Sequence, residues 1–274
     1  MQGKILLAMQ YWEGDKASAG KLLRFIADLE PKHCELADIL LVNRFDCVPD
    51  APAASYVGRK FNTFSYSSRR RGTGWPNGCN DLWFSTMEWV LGAQEMKKTP
   101  PYKAVFTFEA DGAPLFQDWI RRLSFAWDRV QSKAKIYVAG AYIPPPIEHI
   151  NGNMLLSCDH KFLNWLVRKV SGGPANVGWD YYLFNAFKRW GVANIPEIVS
   201  LYHTTAYTKE KYDAMCLNST TWVHGVKDNS LMECSREKWL GKREPIIRVD
   251  TPSRFSDDFN STVSSSSAGA PERA

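Results

Sequence analysis

Two carboxylates stand two residues apart in Glu109-Ala-Asp111, at the end of the run Lys103-Ala-Val-Phe-Thr-Phe108. The alternation of that run predicts a strand. Residues i and i+2 of an extended chain share a face, so Glu109 and Asp111 can offer two hard oxygen ligands to Mg²⁺ or Mn²⁺ held against a pyrophosphate. His224 is followed by Gly225 and then by Lys227. A neutral imidazole suits Mn²⁺ better than Mg²⁺, the glycine lets backbone approach a ligand closely, and the ammonium can neutralise a phosphate. His33, His149, His160 and His203 lack such a context and are read as structural. Asp180 follows Gly178-Trp179 near a helix start, where an N-cap is the plain role. Arg69-Arg70-Arg71 precedes the glycine-rich run Gly72 to Asn80, bringing cations, backbone amides and the Trp75 ring together for an anion. Tyr56, Phe61, Phe64 and Tyr66 are interleaved with Arg59, Lys60 and Arg69, a mixture that also suits nucleic acid.

These groups need a scaffold, and the pattern supplies one. Lys4 to Met9 reads as a strand, Ala17 to Leu29 as a helix with Leu22, Phe25, Ile26 and Leu29 at helical spacing, and Ala37 to Val42 as a second buried strand. Strand, helix, strand predicts a parallel sheet. Ligands of such sheets gather at the carboxyl ends of the strands, which makes Tyr11, Asp15 and Asn43 candidate site residues. Ser55 to Asn80 reads as loop, Leu82 to Met96 and Ile120 to Val130 as helices, and Ala134 to Ala141 as a strand. His149-Ile-Asn-Gly152-Asn reads as a glycine-containing loop, followed by helices over 161–170 and from Trp179 to Trp190. Pro196 to Tyr202 and Ser219 to Val223 are β-rich. The organisation expected is one domain over residues 1–250 and a Ser-rich, flexible tail over 251–274.

The 274 residues are 45% hydrophobic, enough to bury an ordinary core. A formal charge of +5 suits a phosphorylated or polyanionic ligand without demanding one. The six cysteines form no C-x-x-C pair and no zinc spacing, so reduced thiols are expected. No apolar run approaches the roughly 18 residues a membrane span needs, and the start reads as no signal peptide, so a cytoplasmic protein is expected. Asn218-Ser-Thr and Asn260-Ser-Thr are then chance matches to a glycosylation pattern.

Thr107-Phe-Glu109-Ala-Asp111-Gly resembles the D-x-D motif of GT-A-fold glycosyltransferases. The further elements follow in the family's order: His149-Ile-Asn-Gly152-Asn, Gly178-Trp-Asp180-Tyr and Trp222-Val-His224-Gly-Val-Lys227. Glu109 replaces the first Asp, and Trp179 stands where the family often has Glu. The resemblance implies an α/β fold, a single GT-A-type domain with a mixed, mostly parallel central sheet flanked by helices. It implies a divalent metal, Mn²⁺ or Mg²⁺, on Glu109, Asp111 and His224, and a nucleotide-sugar donor bound by Tyr11, Asp15, Asn43, Arg71, Asn80 and Lys227. Asp180 becomes the catalytic base for an acceptor hydroxyl of a glycan, a protein or a hydroxylated DNA base, in a hexosyl or pentosyl transfer. The rivals are a sugar-nucleotide nucleotidyltransferase and a non-enzymatic nucleic-acid-binding protein. The first usually has a Gly-rich phosphate loop after its first strand, where this chain has Tyr11-Trp12-Glu13.

Overall fold

The first strand, β1 (Lys4–Tyr11), is buried almost throughout because both of its faces are covered. Ile5, Leu7 and Met9 join one apolar cluster while Leu6 and Ala8 join the other, on the opposite side of the sheet. Two-sided burial turns a parallel strand into a continuous apolar run. The computed structural model describes residues 3–169 and 176–242. The tail over 251–274, the expected domain's last residues and the Gly172-Gly-Pro turn lie outside the described residues, as does the His203 side chain.

After β1 come α1 (Lys16–Leu29), β2 (Ala37–Asn43), α2 (Ala51–Val57), β3 (Thr63–Ser67), α3 (Asn77–Glu95) and β4 (Tyr102–Glu109). Asp50 caps α2 by accepting from Ala53 N at 3.0 Å, an oxygen serving an orphan amide. The chain continues through β5 (Gly112–Pro114), α4 (Trp119–Lys133), β6 (Val138–Ile143), β7 (His149–Ser157), α5 (His160–Lys169) and α6 (Trp179–Trp190). It closes with β8 (Val192–Asn194), β9 (Ile198–Thr204), α7 (Lys209–Leu217), β10 (Trp222–Val226) and α8 (Ser230–Leu240).

The central sheet has seven strands in the order β3-β2-β1-β4-β7-β6-β8. Pairs among β3, β2, β1 and β4 are parallel, as is β6 with β8, and only β7 runs against its neighbours β4 and β6. One face carries α1 and α4 through Leu22, Phe25, Ile26, Leu123 and Trp127. The other carries α3, α5 and α6 through Trp83, Met87, Phe162, Leu166 and Phe187. Each such side chain contributes about 1.5–3 kcal/mol on burial. The expected mixed, mostly parallel α/β sheet is the one observed.

Three departures from the sequence reading matter for the site. α3 begins at Asn77, so Cys79 and Asn80 belong to a helix's first turn, not to a loop. His149 to Asn153 is strand, since Ile150 and Asn153 are buried within β7. A second sheet, β5-β10-β9, sits beside the first, with β10 antiparallel to β5 and parallel to β9. No helix among the described residues is long and apolar enough to cross a membrane.

Candidate active site

β4 ends at Glu109, and β5 starts at Gly112, so Asp111 lies in the tight connection between the two sheets. The antiparallel register of β10 on β5 places His224 opposite Gly112, and Gly225 N and Val226 N both donate to the Asp111 carbonyl, at 3.2 and 3.1 Å. That pairing carries a histidine from late in the chain to the carboxylates of β4. A Cβ on Gly225 would stand 1.5 Å from the Leu201 carbonyl oxygen, with φ at +97°. The close approach that glycine permits is therefore to β9, not to a ligand as its sequence context suggested. Behind the turn, Asn153 Oδ1 accepts from Glu109 N at 3.4 Å and from the Trp222 indole at 3.1 Å, tying β4, β7 and β10 at one buried atom.

Glu109, Asp111 and His224 each present one ligand atom within 4.8 Å of the others. His224 Nε2 is 3.0 Å from Glu109 Oε2 and 3.2 Å from Asp111 Oδ1, and its Nδ1 is 3.2 Å from the Ser200 hydroxyl. Lys227 forms an ion pair with the other Asp111 oxygen. Burial acts to raise the Asp111 pKa, but His224 and Lys227 outweigh it and hold the carboxyl well below the usual range. Burial likewise acts to lower that of His224, and the carboxylates reverse it, taking the imidazolium up to about 10. The proton on His224 thus occupies the position of a cation between two carboxylates. Apart from the His224 imidazole at 3.2 Å, the buried Asp111 Oδ1 has no polar partner, so it keeps capacity to accept a cation. Two carboxylate oxygens and an imidazole nitrogen around that atom fit a divalent ion such as Mn²⁺.

Asp15 belongs to the same cluster. Burial first, and then the charges of Glu109 and Asp111, push its carboxyl up to about 6. On the far wall, Asp180 sits in the first turn of α6, whose N-cap is Gly178. Its Oδ1 accepts from Tyr181 N at 3.0 Å, and its Oδ2 lies 3.6 Å from His149 Nε2. His149 Nδ1 is 2.6 Å from the Ile147 carbonyl and so carries the hydrogen, which aims Nε2 at Asp180. Burial pushes the Asp180 pKa up, against the lowering effect of His149.

Asp15, Glu109, Asp111, Asp180, His224 and Lys227 therefore lie close enough to act on one another's charge. Tyr11, Asn43 and Asn80, also sequence candidates, spend their polar groups within the protein. Tyr11 is 2% exposed, its hydroxyl accepting from Asp50 N. Asn43 is buried, its amide donating to the Arg44 and Cys47 carbonyls and accepting from Ser67. Both polar groups are consumed in holding strand-end loops. Asn80 donates to the Val177 carbonyl at 2.9 Å and accepts from Trp179 N at 2.8 Å, so it braces the turn that carries Asp180. The Trp83 and Trp179 rings stack at 4.0 Å beside it.

In the arginine run, Arg70 pairs with Glu88 at 2.6 Å and lies over Phe84. Arg71 is exposed over the Phe45 ring. Sequence reasoning read His149 as structural and placed Asn153 in a loop, and it gave no role to Cys79 or Trp12. Cys79 is pushed up to about 12, by burial and then by Glu109, Asp15 and Asp180, which places it among the site carboxylates. Trp12 is 42% exposed, with the Arg44 guanidinium 4.9 Å from its ring. An aromatic residue directly after β1 was the available signal.

All six cysteines are free. No family model matches the sequence, and a search of curated proteins finds no match. Among solved structures the chain is similar to the galactosyltransferase LgtC in complex with donor and acceptor sugar analogues, with TM-score 0.52, 9% identity, and 89% of this chain and 98% of that one covered. It is also similar to mouse xyloside xylosyltransferase 1 (TM-score 0.46, 11% identity, 81% and 97% covered). A third likeness is to the bifunctional glycosyltransferase WbbM (TM-score 0.47, 9% identity, 82% and 46% covered). The chain spans less than half the length of WbbM. At such identities the likeness concerns the fold alone. The chain has the GT-A fold.

Proposed function

We propose that the protein is a metal-dependent glycosyltransferase that moves a sugar from a nucleotide-sugar donor to a hydroxyl group. The observation that carries this reading is the Glu109, Asp111 and His224 cluster at the end of β4, with Lys227 paired to Asp111. Glu109, Asp111 and His224 would hold a divalent ion there, Mn²⁺ in our reading, which would supply positive charge for the donor phosphates and the departing nucleoside diphosphate. Lys227 adds a second positive charge for the same phosphates. Asp15 binds on the donor side. The likeness to LgtC, whose complex contains donor and acceptor sugar analogues, supports the same reading.

Asp180 acts on the acceptor. In an inverting reaction it removes the proton of the attacking hydroxyl, and its raised pKa makes it a stronger base than a free carboxylate. His149 orients it from below. In a retaining reaction Asp180 orients the acceptor instead, and the anomeric configuration of the product distinguishes the two. A nucleotidyltransferase is disfavoured by Tyr11-Trp12-Glu13, which occupies the place of a Gly-rich phosphate loop.

The test is release of nucleoside diphosphate from UDP-, GDP- and dTDP-sugars with and without Mn²⁺. One of these donors must be consumed in a metal-dependent way. Consumption that yields a nucleoside triphosphate when pyrophosphate is supplied would assign the protein to the nucleotidyltransferases.

A further inference from the structure

Beside Asp180 the surface opens into a cleft of about 360 Å³ between residues 144–148 and α6. That lies in the range of about 300–1,000 Å³ found for small-molecule sites. Its lining includes Pro146, Glu148, Tyr181, Tyr182, Phe184 and Asn185. Two lining residues adjoin the proposed base and its histidine: Tyr181 follows Asp180 in α6, Glu148 precedes His149 at the entry to β7, and the His149 and Tyr181 rings meet edge to face at 6.5 Å.

We propose that this cleft is the acceptor subsite and that the acceptor it takes is a neutral saccharide. The inference rests on the glycosyltransferase reading and names the acceptor class for it. Tyr181 and Tyr182 are 46% and 39% exposed on a helix whose Leu183 and Phe187 already anchor it in the core. Their rings therefore do no work for the fold that burial would require. A pyranose has apolar C–H faces and a rim of hydroxyls. Exposed tyrosine rings take the faces, while the Glu148 carboxylate, the Asn185 amide and the phenol hydroxyls take the rim.

Charge separates the saccharide from other acceptors. Among the described residues, none that lines the cleft is a cation. Lys188 reaches the rim of the cleft, where it is 2.7 Å from Glu148 and lies over the Phe184 ring at 4.4 Å. A nucleic acid needs its phosphates neutralised, and here it would meet a carboxylate whose lysine is already engaged. Tyr142 also donates to Glu148, at 2.8 Å, fixing the carboxylate at the rim.

The test is saturation-transfer-difference NMR on the intact protein with lactose, maltose, cellobiose, chitobiose and mannobiose, alongside a dodecathymidylate and a Ser/Thr-containing peptide. Ring-proton signals are expected from at least one disaccharide. The pair Tyr181→Ala and Tyr182→Ala should cut them about tenfold, whereas Tyr181→Phe with Tyr182→Phe should keep most, because stacking needs the ring and not the hydroxyl. The proposal is overturned if no disaccharide gives a signal, if the alanine pair leaves the signal intact, or if the oligonucleotide or peptide binds and the alanine pair weakens it. Donor binding is followed separately as a Mn²⁺-dependent thermal shift. Saccharide binding without donor binding upholds the cleft and removes the transferase reading, and donor binding without saccharide binding does the reverse.

Discussion

Asn80→Ala separates a brace from a donor contact. In the structure both halves of the Asn80 amide are used, on the Val177 carbonyl at 2.9 Å and on Trp179 N at 2.8 Å, and the residue is 8% exposed. Alanine removes two hydrogen bonds with a net worth of about 1 kcal/mol each and leaves a buried amide unpaired, a further 1–3 kcal/mol, so a loss of roughly 2–4 kcal/mol follows after partial relaxation. For a domain of this size that is a fall in Tm of roughly 4–16 °C. Because the bonded residues flank Gly178 and lead into Asp180, turnover should fall while donor affinity stays near the wild-type value. Asn80→Asp is the control. It keeps an acceptor for Trp179 N but turns an oxygen toward the Val177 carbonyl, so it should also be destabilised. The measurements are thermal unfolding followed by circular dichroism, donor titration, and kcat. An alanine variant with unchanged Tm and weakened donor binding would refute the reasoning and return Asn80 to the donor site.

Asp180→Asn should lower kcat by about 10²-fold or more with donor affinity nearly constant, since proton removal matters in the transition state; full turnover in a steady-state assay would remove Asp180 from the reaction. His149→Phe removes the group that lowers the Asp180 pKa. The base form of Asp180 exists only above its pKa, so the acid limb of the kcat profile should move to higher pH, and an unmoved profile would make His149 merely structural. Neutralising Arg69 and Arg71 should leave the unfolding free energy within about 0.5 kcal/mol of the wild type, whereas Arg70→Met, which strands Glu88, should lower it; equal effects on denaturant midpoints would contradict the different placements of the three arginines.

Much of the fold is legible locally because β1 and β2 are covered on both faces and read as apolar runs, while β4 shows as an alternating strand. α2 and β3 escaped the reading, being short and set in a segment rich in polar and turn residues. β7 was mistaken for a loop because Asn151, Gly152 and Asn153 look like turn residues. Two of these amides are spent inside the protein, Asn151 on Asn153 N and Asn153 on Glu109 N and Trp222. Glu109-Ala-Asp111 was legible as a strand end. Its partner His224 arrives through antiparallel pairing of β10 on β5, a long-range contact that no local pattern carries, so only the family resemblance linked the two. Tyr11, Asn43 and Asn80 make internal contacts that the sequence did not show, for one physical reason. Polar groups at the carboxyl ends of strands and at helix starts must first satisfy the backbone there, and sequence does not tell which of them are left over for a ligand.

The central claim is that Asp111 and His224 hold a metal through which donor binding depends. The most direct measurement is a thermal shift with UDP-, GDP- and dTDP-sugars, each with and without Mn²⁺, on the wild type and on Asp111→Asn. At a donor concentration near 100 times Kd the wild type should gain about 2.7 kcal/mol, a rise in Tm of roughly 5–11 °C, only when Mn²⁺ is present, and the variant should gain none. An equal rise without metal, or an undiminished metal-dependent rise in Asp111→Asn, would contradict the account.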